Sequence, residues 1–527
     1  MRKIILAFAL LASMSLPAQD FKVVRGDCTP YVGDGESVTT RGGVARRVKL
    51  PDIIAEWNPN RVYRQLVILV AFKGDSTYFN RENPRETYNR MLNEGGYNER
   101  DGKGCMADYF RDQSNGLLNL QFDVYGPYAI NQKAQPYDNP TDKTHNYGTQ
   151  AMIDATQMMI DENPELDFSV YDWNGNGYVN QVIYVFAGFS GNTGVSSYGY
   201  LWPNTSSFAT ITTPCGVRIS NYTASAECWP TKDKASCGIG TICHEFTHSL
   251  GLPDIYPTGG NDYSVVDEWD LMDGGNFTNY GWCPPNYSPF EKMLLGWLTP
   301  FELSAATTIT GMKCVEDGGD VYMIRHTENE CYLLENRQWK GWDAGVPGKG
   351  LVIYHVNYDA RRWTNNIVNT VDGSPNYSVV HADGLDYNGW DALMKEAGVS
   401  TYLEDPRLHN RHLSTSAYPW TTDSTDFVND QLTDQSIPAS KMYNANQVGS
   451  RFLSKAITNI RVAEDGTVSF DFMGGDPAGV TALSQKKQPT GVYNLRGYYL
   501  GSRWENQRPG LYITRYADGT IKKVVKR

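Results

Sequence analysis

The pattern of apolar and polar positions divides this chain into two long stretches of different character. Up to about residue 300, compact apolar runs alternate with helical segments: Leu66 to Phe72, Leu118 to Val124 and Gln181 to Ala187 read as strands, and Gln150 to Glu162 reads as a helix. That alternation predicts an α/β layer on a mixed sheet. From about Phe301 the signals become those of strands alone, at Val321 to Ile324, Cys331 to Glu335, Leu351 to Val356 and Tyr377 to His381. A hairpin is expected from Ile457 to Phe472, turning at Asp465-Gly466. A β-sandwich is the expected outcome for this second stretch. The polar segment from Asp386 to Ser450 has few strand signals and reads as long loops.

The two ends differ from both stretches. Met1-Arg2-Lys3, the apolar run Ile4 to Ala12 and the small residues up to Ala18 read as a signal peptide. Residues 19–61 are polar and Gly-rich, with a dibasic Arg46-Arg47, and read as a short propeptide. Residues 476–490 form a Pro/Gln/Lys/Ser-containing linker before a small β unit at 491–527.

Composition narrows the function classes. A chain of 527 residues with 40% hydrophobic content can bury more than one core. A net charge of −12 with 12% aromatic residues suits a soluble secreted protein and argues against nucleic acid as a partner. The first apolar run is too short to span a bilayer, and no later one approaches about twenty residues, so no transmembrane anchor is expected. No Cys lies at the expected cleavage site, which argues against a lipid anchor.

The chemistry lies in His244-Glu245-Phe246-Thr247-His248-Ser249-Leu250-Gly251-Leu252-Pro253-Asp254, which reads H-E-x-x-H-x-x-G-x-x-D. Positions i and i+4 project from one helix face, so His244 and His248 can direct ring nitrogens at one Zn²⁺ with Glu245 beside the open side. Gly251 can take the positive φ that ends the helix and turns the chain, which lets Asp254 supply a third, oxygen ligand. A fourth position is left for water, whose pKa zinc lowers to roughly 7 and whose proton Glu245 can accept. Downstream, Trp269-Asp270-Leu271-Met272-Asp273-Gly274-Gly275 sets Met272 among turn residues, at a distance that suits a Met-turn beneath such a site. Taken alone, Met272 would be an ordinary core residue. Some related sites carry a Tyr two residues after that Met; here the position is Gly274, and Tyr256 and Tyr280 are the candidates to stabilise the transition state.

These residues resemble the immune inhibitor A group of secreted zinc metalloproteases, metzincin-like enzymes with Asp where most metzincins have a third His. Leu66 to Phe72 resembles the family's first catalytic strand, Met106 to Leu117 its next helix and turn, and Pro289 to Leu298 the closing helix. Tyr332 to Arg337, Gly348 to Val356 and Thr433 to Pro438 resemble its following β-rich region. The resemblance implies a zincin catalytic domain at 62–300 and a β-sandwich at 301–475. It also implies a bacterial, secreted or cell-surface zinc metalloendopeptidase acting on protein or peptide substrates. The alternative is a surface adhesin that keeps the protease fold without turnover. The intact Glu245 speaks against it, because a binding module needs no general base beside its metal.

A second metal is expected upstream. Asp172, Asn174, Asn176, Tyr178 and Asn180 alternate as the front of an EF-hand-type Ca²⁺ loop, with Gly177 at the sixth position. The twelfth position is Ile183, so the bidentate carboxylate is missing, and an Asn/Gly-rich turn into the next strand is the other reading. The family resemblance supports calcium, although relatives carry more aspartates there.

Nine cysteines in an exported chain allow disulfides with one left over. Cys314 with Cys331, and pairs among Cys215, Cys228 and Cys237, are the expected partners. Cys243 is expected in the core, not on the metal. Cys28 could cap the zinc in a proenzyme, but Arg25-Gly26-Asp27-Cys28 does not match a cysteine-switch motif; a disulfide or an inert thiol is the other reading. His355 and His381 are expected as hydrogen-bonded core or edge residues. Gly491 to Gly497, Pro509 to Ile513 and Lys522 to Arg527 resemble the C-terminal sorting domain of type IX secretion cargo, which implies that export machinery as a partner.

Overall fold

Strands Val62–Phe72 (β1), Asn119–Ile130 (β2), Val182–Phe189 (β3), Asn204–Thr212 (β4) and Arg218–Cys228 (β5) form one sheet in the order β2-β1-β3-β5-β4. All pairs are parallel except β4 with β5, which places one antiparallel strand at the edge. The computed structural model describes residues 57–131, 147–191, 202–258, 265–398, 413–421 and 428–475 apart from positions 75, 232, 372 and 397. It also describes residue 490 and the strand segments 38–40, 43–45, 491–493, 499–501, 510–515 and 521–526. The proposed signal peptide and nearly all of the linker lie outside the described residues.

Helices Pro84–Asn93 (α1), Met106–Gln113 (α2), Tyr147–Glu162 (α3), Gly240–Ser249 (α4) and Pro289–Leu294 (α5) accompany the sheet. Both faces of β1 are covered, which is why its sequence is apolar without alternation. Leu66, Ile68 and Val70 pack with Ala151, Met152, Ala155 and Met159 of α3. Val67 and Leu69 belong to the core on the other face, with Ile242 and Phe246 of α4. Phe246 anchors α4 under the sheet, its ring 5.1 Å from Phe110, 6.2 Å from Trp173 and 6.5 Å from Phe122. Burial of such a ring contributes about 1.5–3 kcal/mol. The first turn of α4 lies against backbone: a Cβ on Gly240 would stand 2.1 Å from the Asn276 carbonyl oxygen, so glycine is required there.

The second stretch builds two sheets. Phe301–Glu302 (β6), Tyr322–Arg325 (β8), Glu330–Arg337 (β9), Gly350–Asn357 (β10) and Tyr377–Val379 (β11) order as β11-β10-β9-β8-β6, while Thr307–Met312 (β7), Ile457–Val462 (β12) and Val468–Phe472 (β13) order as β12-β13-β7. Tyr322, Ile324, Leu334 and Ile353 share a core with Ile309, Phe470 and Phe472 of the smaller sheet. Alternate residues of the larger sheet, Met323, Leu333, Val352 and Tyr354, belong to the same core as Phe246, Trp269, Met272 and Tyr287. The hydrophobic core therefore continues across residue 300.

Two expectations need correction. The polar stretch after Asp386 contains a helix, Tyr387–Glu396, whose first turn is held by Asp386 Oδ1 accepting the Gly389 N–H at 2.8 Å. This is an N-cap signal that a search for strands passes over. All eight described cysteines are free thiols, so the expected disulfides do not form among them. Cys314 donates to Asp317 at 3.3 Å, while Cys331 is buried in the core shared with α4. Cys215 is exposed, and Cys228 pairs across the backbone with Ser236, which puts neighbouring Cys237 on the opposite face. Cys28 lies outside the described residues. At the C-terminal end Gly491–Tyr493, Tyr499–Gly501, Gly510–Arg515 and Ile521–Lys526 make an antiparallel four-stranded sheet.

Candidate metal centre

Helix α4 presents His244 and His248 on one face, their ring centroids 5.0 Å apart and the ring planes at 87°. The helix stops at Gly251, whose φ of 100° turns the chain back. Asp254 then returns to the histidines, with Oδ1 3.1 Å from His244 Nε2 and 3.3 Å from His248 Nε2. All three side chains are buried.

The outer ring nitrogens fix which way the inner ones face. His244 Nδ1 lies 2.9 Å from the Leu271 carbonyl oxygen and His248 Nδ1 lies 2.8 Å from that of Leu252. A carbonyl only accepts, so each Nδ1 carries a hydrogen and points outward, which turns each Nε2 toward the Asp254 carboxylate. With both rings neutral, three electron-pair donors converge there, an arrangement that either a cation or a proton resolves. The donor set, two imidazoles and one carboxylate, fits Zn²⁺. This is the one group of three or more His, Cys and carboxylate side chains with metal-ligand spacing among the described residues. Without a cation the trio adjusts by protonation: burial lowers the proton affinity of His248, but the adjacent Asp254 carboxylate outweighs it and raises the pKa to about 9. Burial disfavours the charge of Asp254, yet His248 and His244 hold its carboxyl well below the usual range.

Glu245 lies next to His244 on α4, is 2% exposed, and has its proton affinity raised by burial. Thr205 of the antiparallel edge strand β4 stands beside it, with Oγ1 2.5 Å from the Glu245 carbonyl oxygen and 3.2 Å from Oε2. Met272 is fully buried. Its N–H donates to Asp270 Oδ1 at 2.7 Å and its carbonyl accepts the Ile255 N–H at 2.8 Å. The turn around Met272 therefore touches the centre from two sides, through Leu271 to His244 and through Ile255 to the segment that carries Asp254. Tyr256 is nearly parallel to the His244 ring at 6.5 Å, whereas Tyr280 lies under the Arg100 guanidinium at 4.5 Å. Cys243 is fully buried in the core, as expected.

Sequence reading missed Thr205, the two backbone carbonyls and Asn366. The last donates from Nδ2 to Asp254 Oδ2 at 2.7 Å. None of them has a motif spacing, and Asn366 is 112 positions from its partner.

In the upstream loop, Asp172 Oδ1 accepts from Gly175 N and Asn176 N at 2.8 and 3.1 Å, and Oδ2 from Gly177 N at 2.8 Å. Asn174 and Asn176 accept from the amides two positions on. Asn180 begins the entry to β3, donating its N–H to the Tyr171 carbonyl at 2.9 Å, and the Arg218 guanidinium sits 3.9 Å over the Tyr178 ring. Ile183 is a buried strand residue of β3. Among the other histidines, His355 bonds Glu330 at 2.9 Å and His381 bonds Ser416 at 2.8 Å. His326 bonds the Asn444 carbonyl at 3.0 Å. His145, His409 and His412 lie outside the described residues.

A mixed α/β layer with a His-His-Asp cluster, its histidines on the helix beneath the sheet and its aspartate on the loop that follows, is consistent with a zincin-like fold. Residues 71–295 match the family model for the immune inhibitor A peptidase M6 catalytic domain. Immune inhibitor A of Bacillus thuringiensis subsp. alesti is 25% identical over 213 residues, which cover 35% of this chain and 30% of the relative. The pre-pro-metalloprotease PrtV of Vibrio cholerae serotype O1 is 20% identical over 282 residues, 48% of this chain and 29% of the relative. The matched part of this chain thus spans about three-tenths of the length of these curated relatives.

Proposed function

We propose that this chain is a zinc-dependent endopeptidase that hydrolyses peptide bonds in protein substrates. The reading rests on one observation above all: the Nε2 atoms of two oriented imidazoles and a buried carboxylate converge beside Glu245. His244, His248 and Asp254 would hold the zinc. When bound, zinc supplies Lewis acidity and lowers the pKa of a coordinated water to about 7. Glu245 is assigned the general base, taking that proton and returning it to the leaving amine. Its burial favours the protonated state after the first transfer, and Thr205 fixes the backbone from which it reaches. Met272 forms the floor of the site, and Tyr256 is better placed than Tyr280 to meet a substrate oxygen.

The loop from Asp172 to Asn180 is assigned to Ca²⁺, supported by alternating oxygen side chains and by the tight turn that Asp172 closes. The reading also includes export. The charged-then-apolar start of the sequence supports it, no helix among the described residues is long and apolar enough to cross a membrane, and the four-stranded C-terminal unit suits a type IX sorting signal.

Glu245→Gln tests the enzyme assignment. It keeps the size of the site and its metal while removing the base, so peptide hydrolysis should fall by at least about ten-thousand-fold, the upper end for general acid–base catalysis. Zinc content should match the wild type. Equal turnover in both proteins would refute the assigned base, and no turnover in a zinc-loaded, fully processed wild type would favour the adhesin.

A further inference from the structure

The two oxygens of Asp254 have different partners. Oδ1 faces both histidine Nε2 atoms, while Oδ2 accepts Asn366 Nδ2–H at 2.7 Å. The same amide accepts the Asp254 backbone N–H on its Oδ1 at 2.6 Å, so Asn366 grips both the carboxylate and its backbone. Asn366 follows the short helix Ala360–Thr364, and its φ of 55° is a left-handed conformation that Asn tolerates better than most non-glycine residues. Thr258 Oγ1 donates to the Asn366 carbonyl at 2.6 Å, and Asn369 Nδ2 donates to the Ile255 carbonyl at 2.8 Å, which lays segment 366–369 along segment 254–258.

We infer that Asn366 is a positioning residue of the metal centre: by occupying Oδ2 it leaves Oδ1 as the ligand atom and fixes the carboxylate for one-oxygen ligation. The inference rests on the zinc reading above. A carboxylate unbonded at both oxygens can rotate and chelate through both, which raises the coordination number and takes up the position meant for water. Asn366 lies outside the matched 71–295 span, so the β-rich stretch completes a centre whose ligands all come from the first. Partners of this kind, bonded to a ligand and not to the metal, typically account for about ten- to a hundred-fold in metal affinity.

The test is zinc affinity, by competition with a chromophoric chelator, together with the visible absorption of the Co²⁺-substituted protein. Asn366→Asp keeps the shape and the acceptor for the Asp254 N–H but removes the donor to Oδ2. It should weaken zinc binding about ten- to a hundred-fold and dim the cobalt bands, as added coordination does. Asn366→Gly, suited to the left-handed backbone, has the same expected result and serves if the aspartate variant does not fold. Thr258→Val loosens the same segment without touching Asp254, and its cobalt spectrum should stay that of the wild type. Wild-type affinity and spectrum in the Asn366 variants would overturn the inference. So would an equal affinity loss in Thr258→Val with no spectral change in any variant. His248→Ala separates the two readings: metal lost there but held normally by the Asn366 variants leaves the zinc centre standing without this role, whereas metal retained in His248→Ala refutes the centre itself.

Discussion

Arg337→Met tests whether the protein unfolds as one body across residue 300. Arg337, on β9, is fully buried at the junction between the two stretches. Its Nε lies 2.6 Å from Asp343 Oδ2, its Nη2 2.5 Å from Asp343 Oδ1, and its Nη1 3.2 Å from Glu335 Oε2 and 3.0 Å from the Tyr354 hydroxyl. The guanidinium also reaches the Asn286 carbonyl at 3.4 Å and the Trp269 carbonyl at 3.5 Å, so it touches the segment leading to Leu271 and Met272. Methionine fills similar space without charge and strands two buried carboxylates. Lys292 is buried near the same groups, but burial lowers its proton affinity, so it compensates little. Stranding a buried partner costs about 3–5 kcal/mol. With an unfolding entropy of about 2.1 cal/mol/K per residue, a single body of about 400 residues loses about 4–6 °C in Tm. If the stretch of about 175 residues after 300 melted alone, its own transition would fall by about 8–14 °C and the first would not move. Differential scanning calorimetry of the zinc-loaded proteins separates the cases. Adding Asp343→Asn to the methionine variant should recover part of the loss, since it removes one stranded charge. Two transitions with only the second displaced would refute the single body, and no displacement would refute the stranded-charge argument.

Two further outcomes are expected. In chelator-treated protein, the raised His248 pKa gives a stabilisation that is complete below about pH 6.5 and lost as pH rises through about 9. Tm should therefore fall across that interval in scans with chelator and stay level with zinc, which requires neutral rings; a rise over the same interval without metal would contradict the assignment. Calcium added to protein stripped of it should raise Tm by binding the native state, and Asp172→Ala should abolish the shift; a full shift in that variant would place the ion elsewhere.

The His-His-Asp cluster was legible in the sequence because its geometry is local. The 3.6-residue period puts His244 and His248 on one face, and one glycine, Gly251, suffices to return Asp254. Strand runs such as Leu66 to Phe72 were legible for a similar reason, since burial on both faces leaves an unbroken apolar signature in the chain itself. Tertiary structure decided what depends on packing between distant segments. Asn366 reaches Asp254 only because the β-rich stretch folds over the return loop, and a single Asn has no periodicity to betray it. The larger sheet after residue 300 alternates like any two-faced strand set, and only packing shows that one face belongs to the core of α4. Free thiols were settled the same way, because a disulfide depends on where side chains point: Cys237 stands one residue out of register with Cys228, a displacement that composition and spacing do not carry.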